Sequence, residues 1–556
     1  MEKKNIAITI LTIALIASGV GNIVLYIVVG NIQGPPAPAQ TLVIATNYGP
    51  STLDPVYAWD SASNDVLEQV IETLFYYDLN NVDLPRINVL ATGYHWADST
   101  HLQIILREGV RFHDGTPFNA TAAKWNLDRL LYLTNCTGAN HETVAQTQSL
   151  WMFTDGVTPI INNVTMVSAY NLTITLNGPY APLLSILSYI NAGMISPTAH
   201  AAEATTFIDR GTGHPVGTGP FEFYYLNHNL EVRFERNDGY WDGPAAFSTV
   251  IFSIFSEVYT AHNAFINHVV DWNRMPVDQN LALYEADPKI KVHRFTEDTG
   301  KPSIVYFYMG FNNQRYNLTW RLAMAHAINY SHVTDVLKSG KAVKAVSAIS
   351  PGYGASYNSS IVPLAHDLTL ARSYMQQMGF GVGFTTDLEW ITVAESGSPF
   401  LSVWYTYLQG KSFCIDFLDA ITEWFKLIGI NVWDDEKTLL EIVWMTWDQY
   451  SIYTSGWGPD YLDPYNMLDP LFNPASSSNS AQVDDAHLNI LMATALAETD
   501  EAARNIIYQN IQGYLSRKQF HVPLYNSKIL YTHAIDIMGI PYNAMGSLRL
   551  YPCYRG

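Results

Sequence analysis

Apolar positions along this chain fall mainly into short runs of period two, broken by Gly, Pro and Asn, with a few stretches of helical spacing among them. Thr41-Leu42-Val43-Ile44-Ala45-Thr46 is a continuous apolar run closed by a Gly-Pro turn, the signature of a buried strand. His101–Phe112 alternates through Leu102, Ile104 and Leu106, turns at Glu108-Gly109 and resumes at Val110 and Phe112, which predicts a hairpin. Asn119 is placed to cap a helix that gathers Ala123, Leu127, Leu130 and Leu131 on one face. Leu172, Ile174 and Leu176 alternate as a further strand. Phe221, Phe223 and Tyr225 face Leu230, Val232 and Phe234 across Asn227-His228-Asn229, a second hairpin. In the later half Leu318, Leu322, Ala325 and Ile328 keep helical spacing. Phe417, Ile421, Trp424 and Ile428 make a stronger stripe, which Gly429 closes ahead of the strand-like Ile430-Asn431-Val432. Strands mixed with helices throughout predict an α/β architecture, and no fixed-period repeat is visible.

Ahead of this body, Glu2-Lys3-Lys4 precedes a nearly unbroken apolar stretch from Ile6 to Val29. At 1.5 Å per residue it is long enough to span a bilayer core of about 30 Å. A cleaved signal peptide ending near Ala17-Ser18-Gly19 is the competing reading, but the apolar pattern resumes at Ile23, so residues 1–30 are expected to form an uncleaved signal anchor. The preceding lysines place the N-terminus inside and the body outside the cell membrane. No cysteine follows the span, which excludes a bacterial-type lipid anchor. Residues 31–40, with Gly34-Pro35-Pro36-Ala37-Pro38, read as a stiff spacer. Asn-x-Ser/Thr sequons at Asn119, Asn135, Asn163, Asn171, Asn317, Asn329 and Asn358 are compatible with an outside location.

Length and composition narrow the classes. A chain of 556 residues exceeds a single core, and 48% apolar against 14% charged residues excludes a disordered chain. The net charge of −20 argues against nucleic acid or anionic lipid as a partner. Cys136, Cys414 and Cys553 form no CxxC pair, so zinc and thioredoxin-like readings fail; one disulfide with one free thiol stays open, in any of three pairings. No HExxH, GxSxG or GxxxxGK[ST] string is present, no cofactor is implied, and no enzyme is predicted. His113-Asp114 reads as a surface turn rather than half of a catalytic dyad, for want of a positioned nucleophile.

Two places carry recognition chemistry. Gly456-Trp457-Gly458-Pro459-Asp460-Tyr461 sets Asp460 and Asp463 in a Gly/Pro-stiffened loop beside an indole, a pairing suited to an ammonium group; a helix-capping Asp is the competing reading. Val269-Val270-Asp271-Trp272-Asn273-Arg274 ends a short strand on a large ring and a guanidinium, which either takes a ligand carboxylate or lies on the surface.

Four strings in order, Phe112-His113-Asp114-Gly115-Thr116-Pro117, Gly217-Thr218-Gly219-Pro220-Phe221, Arg236-Asn237-Asp238-Gly239-Tyr240-Trp241 and Gly456–Pro464, follow an early Leu53-Asp54-Pro55. With Asn312-Asn313-Gln314 and the helix from Arg321 to Asn329, they resemble the family 5 extracellular solute-binding proteins of peptide-type ABC importers, from about Thr41 to Tyr554. The resemblance implies a type II periplasmic-binding-protein fold: lobe I from 41–81, 192–310 and 523–556, an inserted extra domain at 82–191, and lobe II at 311–522. Two crossover strands form the hinge. It implies a monomeric receptor that closes on a peptide or similar small solute and delivers it to permease subunits. Asp460 then matches the aspartate that pairs with a peptide α-ammonium, and Gly456 and Trp457 lie in the same pocket loop. Trp59, Trp272 and Arg274 match pocket-lining positions. No basic residue for a peptide carboxylate is located by motif. An oligosaccharide receptor of the same fold and a cell-surface signalling component without transport are the alternatives.

Overall fold

The computed structural model describes residues 40–135, 145–153, 155–438, 441–442, 445 and 447–556. The predicted anchor, the spacer up to Ala39, and Cys136 lie outside the described residues. Among the described residues no helix is long and apolar enough to cross a membrane, and Cys414 and Cys553 are free thiols.

Two large sheets organise Gln40–Gly556. The seven-stranded sheet runs in the order Ile290–His293, Tyr531–Ala534, Trp272–Asn273, Thr41–Thr46, Thr249–Ile254, Glu231–Arg236, Phe221–Asn227. Thr41–Thr46 sits at its centre, parallel to strands on both sides, with Leu42, Ile44 and Ala45 fully buried. A central parallel strand is covered on both faces, which is why its sequence is continuously apolar rather than alternating. The six-stranded sheet runs Ala342–Lys344, His521–Ser527, Tyr306–Phe311, Ile452–Trp457, Leu401–Leu408, Ile430–Lys437. A third, four-stranded antiparallel sheet holds Ala91–Asp98, His101–Leu106, Asn171–Leu176 and Ile161–Ser168 in that order. The chain passes between the two large sheets twice, through residues 294–305 and again through 528–530. The expected boundaries at 310 and 523 thus fall inside strands of the six-stranded sheet.

Most predicted elements form. Asn119 Oδ1 accepts from the amides of Thr121 and Ala122 and starts the helix Ala120–Leu133. Phe417, Ile421, Phe425 and Ile428 are buried along Ser412–Lys426 and just beyond it, and Gly429, at φ +76°, turns the chain into Ile430–Lys437. The Phe221–Arg236 hairpin forms with Phe223 opposite Phe234. The hairpin read into His101–Phe112 does not. His101–Leu106 pairs instead with Ala91–Asp98 and with Asn171–Leu176, while Phe112 closes a tight turn whose amide donates to Thr116 O. Local alternation marks a strand but does not choose its partner.

The family-type strings turn out to be braces. Glu72, buried at the end of the helix Ser61–Val70, accepts from Thr218 Oγ1 (2.8 Å), Tyr240 OH (2.7 Å) and Trp241 Nε1 (3.0 Å). Gly217 and Gly219 let that crossing approach closely: a Cβ on Gly217 would sit 2.1 Å from Val70 O. His113 Nε2 donates to Gly219 O (3.0 Å), and burial pushes its pKa down to about 4; it is a neutral structural imidazole. Asp54 of Leu53-Asp54-Pro55 is wholly buried against Arg129, ion-paired with it, and also accepts from the Ile208 amide (2.9 Å).

Candidate functional site

The strand Ile452–Trp457 pairs with Tyr306–Phe311, leaves the sheet at Trp457, turns through Gly458–Pro464 and enters the helix Tyr465–Phe472. Proline at 464 suits that start, because its missing N–H is one the first turn would leave unpaired. This loop and helix form one wall of a cavity of about 450 Å³. Trp59, Leu150, Phe153 and Tyr180 supply the other walls, from segments far away in sequence. Its size and aromatic lining are those of a small-ligand site. The rings brace one another: Tyr180 meets Phe153 and Tyr465 edge to face at 5.8 and 6.2 Å, and its hydroxyl lies 3.1 Å from that of Tyr461.

Asp460 is half-buried at this wall. Its Oδ1 accepts from the indole Nε1 of Trp59 (2.6 Å) and its Oδ2 from Asn466 Nδ2 (3.3 Å), while its own amide donates to Asn466 Oδ1 (2.7 Å). The Trp457 indole donates to Asn466 O (3.0 Å), so Asn466 fixes both the acid and the ring. No lysine or arginine among the described residues forms an ion pair with Asp460, and burial lifts its pKa to about 6. Asp463, three residues on, is the opposite case: Arg504 (3.2 Å) and Tyr508 OH (2.7 Å) hold it inside the protein.

Of the sequence-predicted residues, Trp59, Trp457 and Asp460 come together at the cavity. Gly456 does not line it; it pairs with Phe307, and a Cβ there would meet that ring at 2.7 Å. Trp272 and Arg274 lie elsewhere. Trp272 is buried in the seven-stranded sheet between Ile44 and His533, because its strand is interior to that sheet. The Arg274 guanidinium is taken by Asp65 in an ion pair, so it is not available to a ligand carboxylate in this cavity. Sequence reasoning passed over Tyr180, Asn466 and Asp469. A signal for the last two was present: Asn466, Asp469, Pro470 and Asn473 recur at i, i+3, i+4 and i+7 directly after the loop, one face of a helix.

Known proteins bear on this geometry. Residues 87–479 match the bacterial extracellular solute-binding proteins, family 5 Middle. The chain is 27% identical over 513 residues to the glutathione-binding protein GsiB of Shigella flexneri serotype 5b, covering 90% of this chain and 92% of that one. In structure it is similar to the periplasmic binding protein DppA of Helicobacter pylori in complex with the peptide STSA (TM-score 0.70, 22% identity, 93% and 98% of the two chains). It is similar also to HbpA2 of Haemophilus parasuis (TM-score 0.78, 20% identity, 93% and 100%). The match spans most of the chain and includes the loop that carries Asp460, so the protein belongs to the family 5 extracellular solute-binding proteins, receptors that bind a solute and carry out no reaction on it.

Proposed function

We propose that this receptor captures peptides with a free N-terminus and hands them to the permease of an ABC importer. The observation that carries the reading is Asp460: a carboxylate with no cationic partner among the described residues, set beside two indoles in a cavity whose described lining contains no Lys, Arg or His. An α-ammonium supplies the missing charge, and Trp59 and Trp457 offer it ring faces. The names of similar proteins agree in kind, one a glutathione-binding protein and another in complex with the peptide STSA.

The described lining of the cavity offers no cationic group for a peptide carboxylate, so the C-terminus is expected to contribute little. Calorimetry with Ala-Ala, N-acetyl-Ala-Ala and Ala-Ala-amide tests this. Acetylation is expected to weaken binding about tenfold or more, amidation to change it little, and Asp460→Ala to weaken the free dipeptide by about ten- to a hundredfold. Equal affinity of wild type and Asp460→Ala for Ala-Ala would remove Asp460 from the site. An oligosaccharide is the second reading, favoured by the rings in the walls; a glycan panel in the same assay distinguishes it.

In this reading the body works outside the membrane as a monomer. Residues 1–30 anchor it and residues 31–40 hold it off the bilayer. The seven- and six-stranded sheets mark the two lobes, the 82–191 region is the inserted domain, and 294–305 with 528–530 form the hinge.

A further inference from the structure

A second carboxylate shares the cavity with Asp460. Asp469 lies one helical turn beyond Asn466 on the same face of Tyr465–Phe472, where residues three apart are neighbours about 5–6 Å from Cβ to Cβ. Tyr465 OH (3.0 Å) and Asn473 Nδ2 (2.7 Å) both donate to its Oδ1. Oδ2 accepts no hydrogen bond among the described residues. Nor does Asp469 form an ion pair with any described lysine or arginine, although the same segment shows how an acid is neutralised when the fold needs it: Asp463 has Arg504 and Tyr508. Two acids held by neutral donors in one aromatic cavity, neither ion-paired to a described lysine or arginine, leave room for two cationic groups from a ligand.

Resting on the reading that Asp460 takes a peptide α-ammonium, we infer that Asp469 is a specificity-determining residue that takes a second cationic group on the same ligand, so that the preferred peptide begins with a basic residue. A lysine side chain carries its ammonium a few carbon–carbon bonds from the α-ammonium, and both acids line the one cavity, with Asn466 holding Asp460 and Asp469 one helical turn beyond Asn466. Burial raises the pKa of Asp469, and a ligand cation would reverse that, as it would at Asp460.

The test compares Lys-Ala, norleucyl-Ala and 1,5-diaminopentane by calorimetry on wild type, Asp469→Asn and Asp469→Glu, with melting curves to show that each variant folds. Norleucine keeps the four side-chain carbons of lysine and lacks the charged nitrogen. Lys-Ala is expected to bind wild type about tenfold more tightly than norleucyl-Ala, equivalent to 1.4 kcal/mol. Asp469→Asn is expected to erase that difference by weakening Lys-Ala alone, and Asp469→Glu to keep a preference for it. Equal affinities on wild type, or a preference that survives Asp469→Asn, overturn the inference while leaving the peptide reading standing. Binding of the diamine but of neither dipeptide, with loss in Asp469→Asn, keeps the two-charge site and overturns the peptide reading. Binding of none of the three overturns both.

Discussion

Asp460 stabilises the empty protein less than a neutral residue would. Its folded pKa of about 6 stands above the ordinary 3.8, because burial disfavours the charge. A raised carboxyl pKa adds stability that is fully present below the unfolded value and is lost as pH rises through the folded one. At pH 7 the ionised acid is therefore a net cost. Asp460→Asn keeps an oxygen for Trp59 and gives up only the 3.3 Å contact with Asn466, so it is expected to stabilise the ligand-free protein at pH 7 by about 1–2 kcal/mol, allowing for screening through the cavity. The gain should vanish near pH 3.5, where the acid is already protonated. Melting temperatures at the two pH values check this; an equal gain at both would mean that charge is not the cause. The same titration sets ligand affinity, which should rise between pH 5 and 7 as the carboxylate forms. Function here costs stability, as is common where a site is built for a charge that the ligand brings.

Glu72 shows how single elements are tied into the frame around that site. It joins the end of the helix Ser61–Val70 to Thr218, Tyr240 and Trp241, and Arg107 lies 4.1 Å over the Trp241 ring. Glu72→Ala would take that acceptor from three donors, one buried on Thr218 and two half-buried on Tyr240 and Trp241. The expected loss is about 3–5 kcal/mol, read as a lower urea midpoint, with Glu72→Gln losing less because it keeps one acceptor. A midpoint unchanged in Glu72→Ala would show that the strings around it are not braces. The strings themselves were legible in the sequence, as were the central strand, both later helical stripes and the Trp457–Asp460 loop. Those features depend on local spacing and turn chemistry. Glu72 was invisible because its partners lie 146 to 169 positions away, and the Trp59–Asp460 hydrogen bond spans 401. For the same reason the sequence could not tell that Trp272 and Arg274 lie apart from this cavity: a ring at a strand end reads alike whether the strand borders a cleft or lies inside a sheet. The true partners of His101–Leu106 were hidden too, since alternation is shared by every strand with one covered face.

At the scale of the whole molecule, the two large sheets are connected by two stretches of chain, and one of these is only three residues long. Connections of that kind permit rotation about a shared axis while each sheet keeps its own packing. The longer crossing also carries Gly300 at φ +71°, a conformation that ends the short helix Phe295–Thr299 and that residues with a Cβ adopt at a cost. A ligand shifts such an equilibrium only by its difference in affinity for the open and closed arrangements. The difference expected here comes from the cavity: its walls are drawn from segments far apart in sequence, so an ammonium at Asp460 touches Trp59, Trp457 and the Tyr180 cluster together only when all of them are assembled. A binding peptide is therefore expected to reduce the radius of gyration in solution scattering, with no change in mass. Asp460→Ala at the same peptide concentration should keep the profile of the free protein, because the contact that favours the closed arrangement is gone. Profiles identical with and without a peptide that calorimetry shows to be bound would mean that the cavity is already complete in the free protein. Selectivity would then rest on the fixed charges of Asp460 and Asp469 rather than on closure.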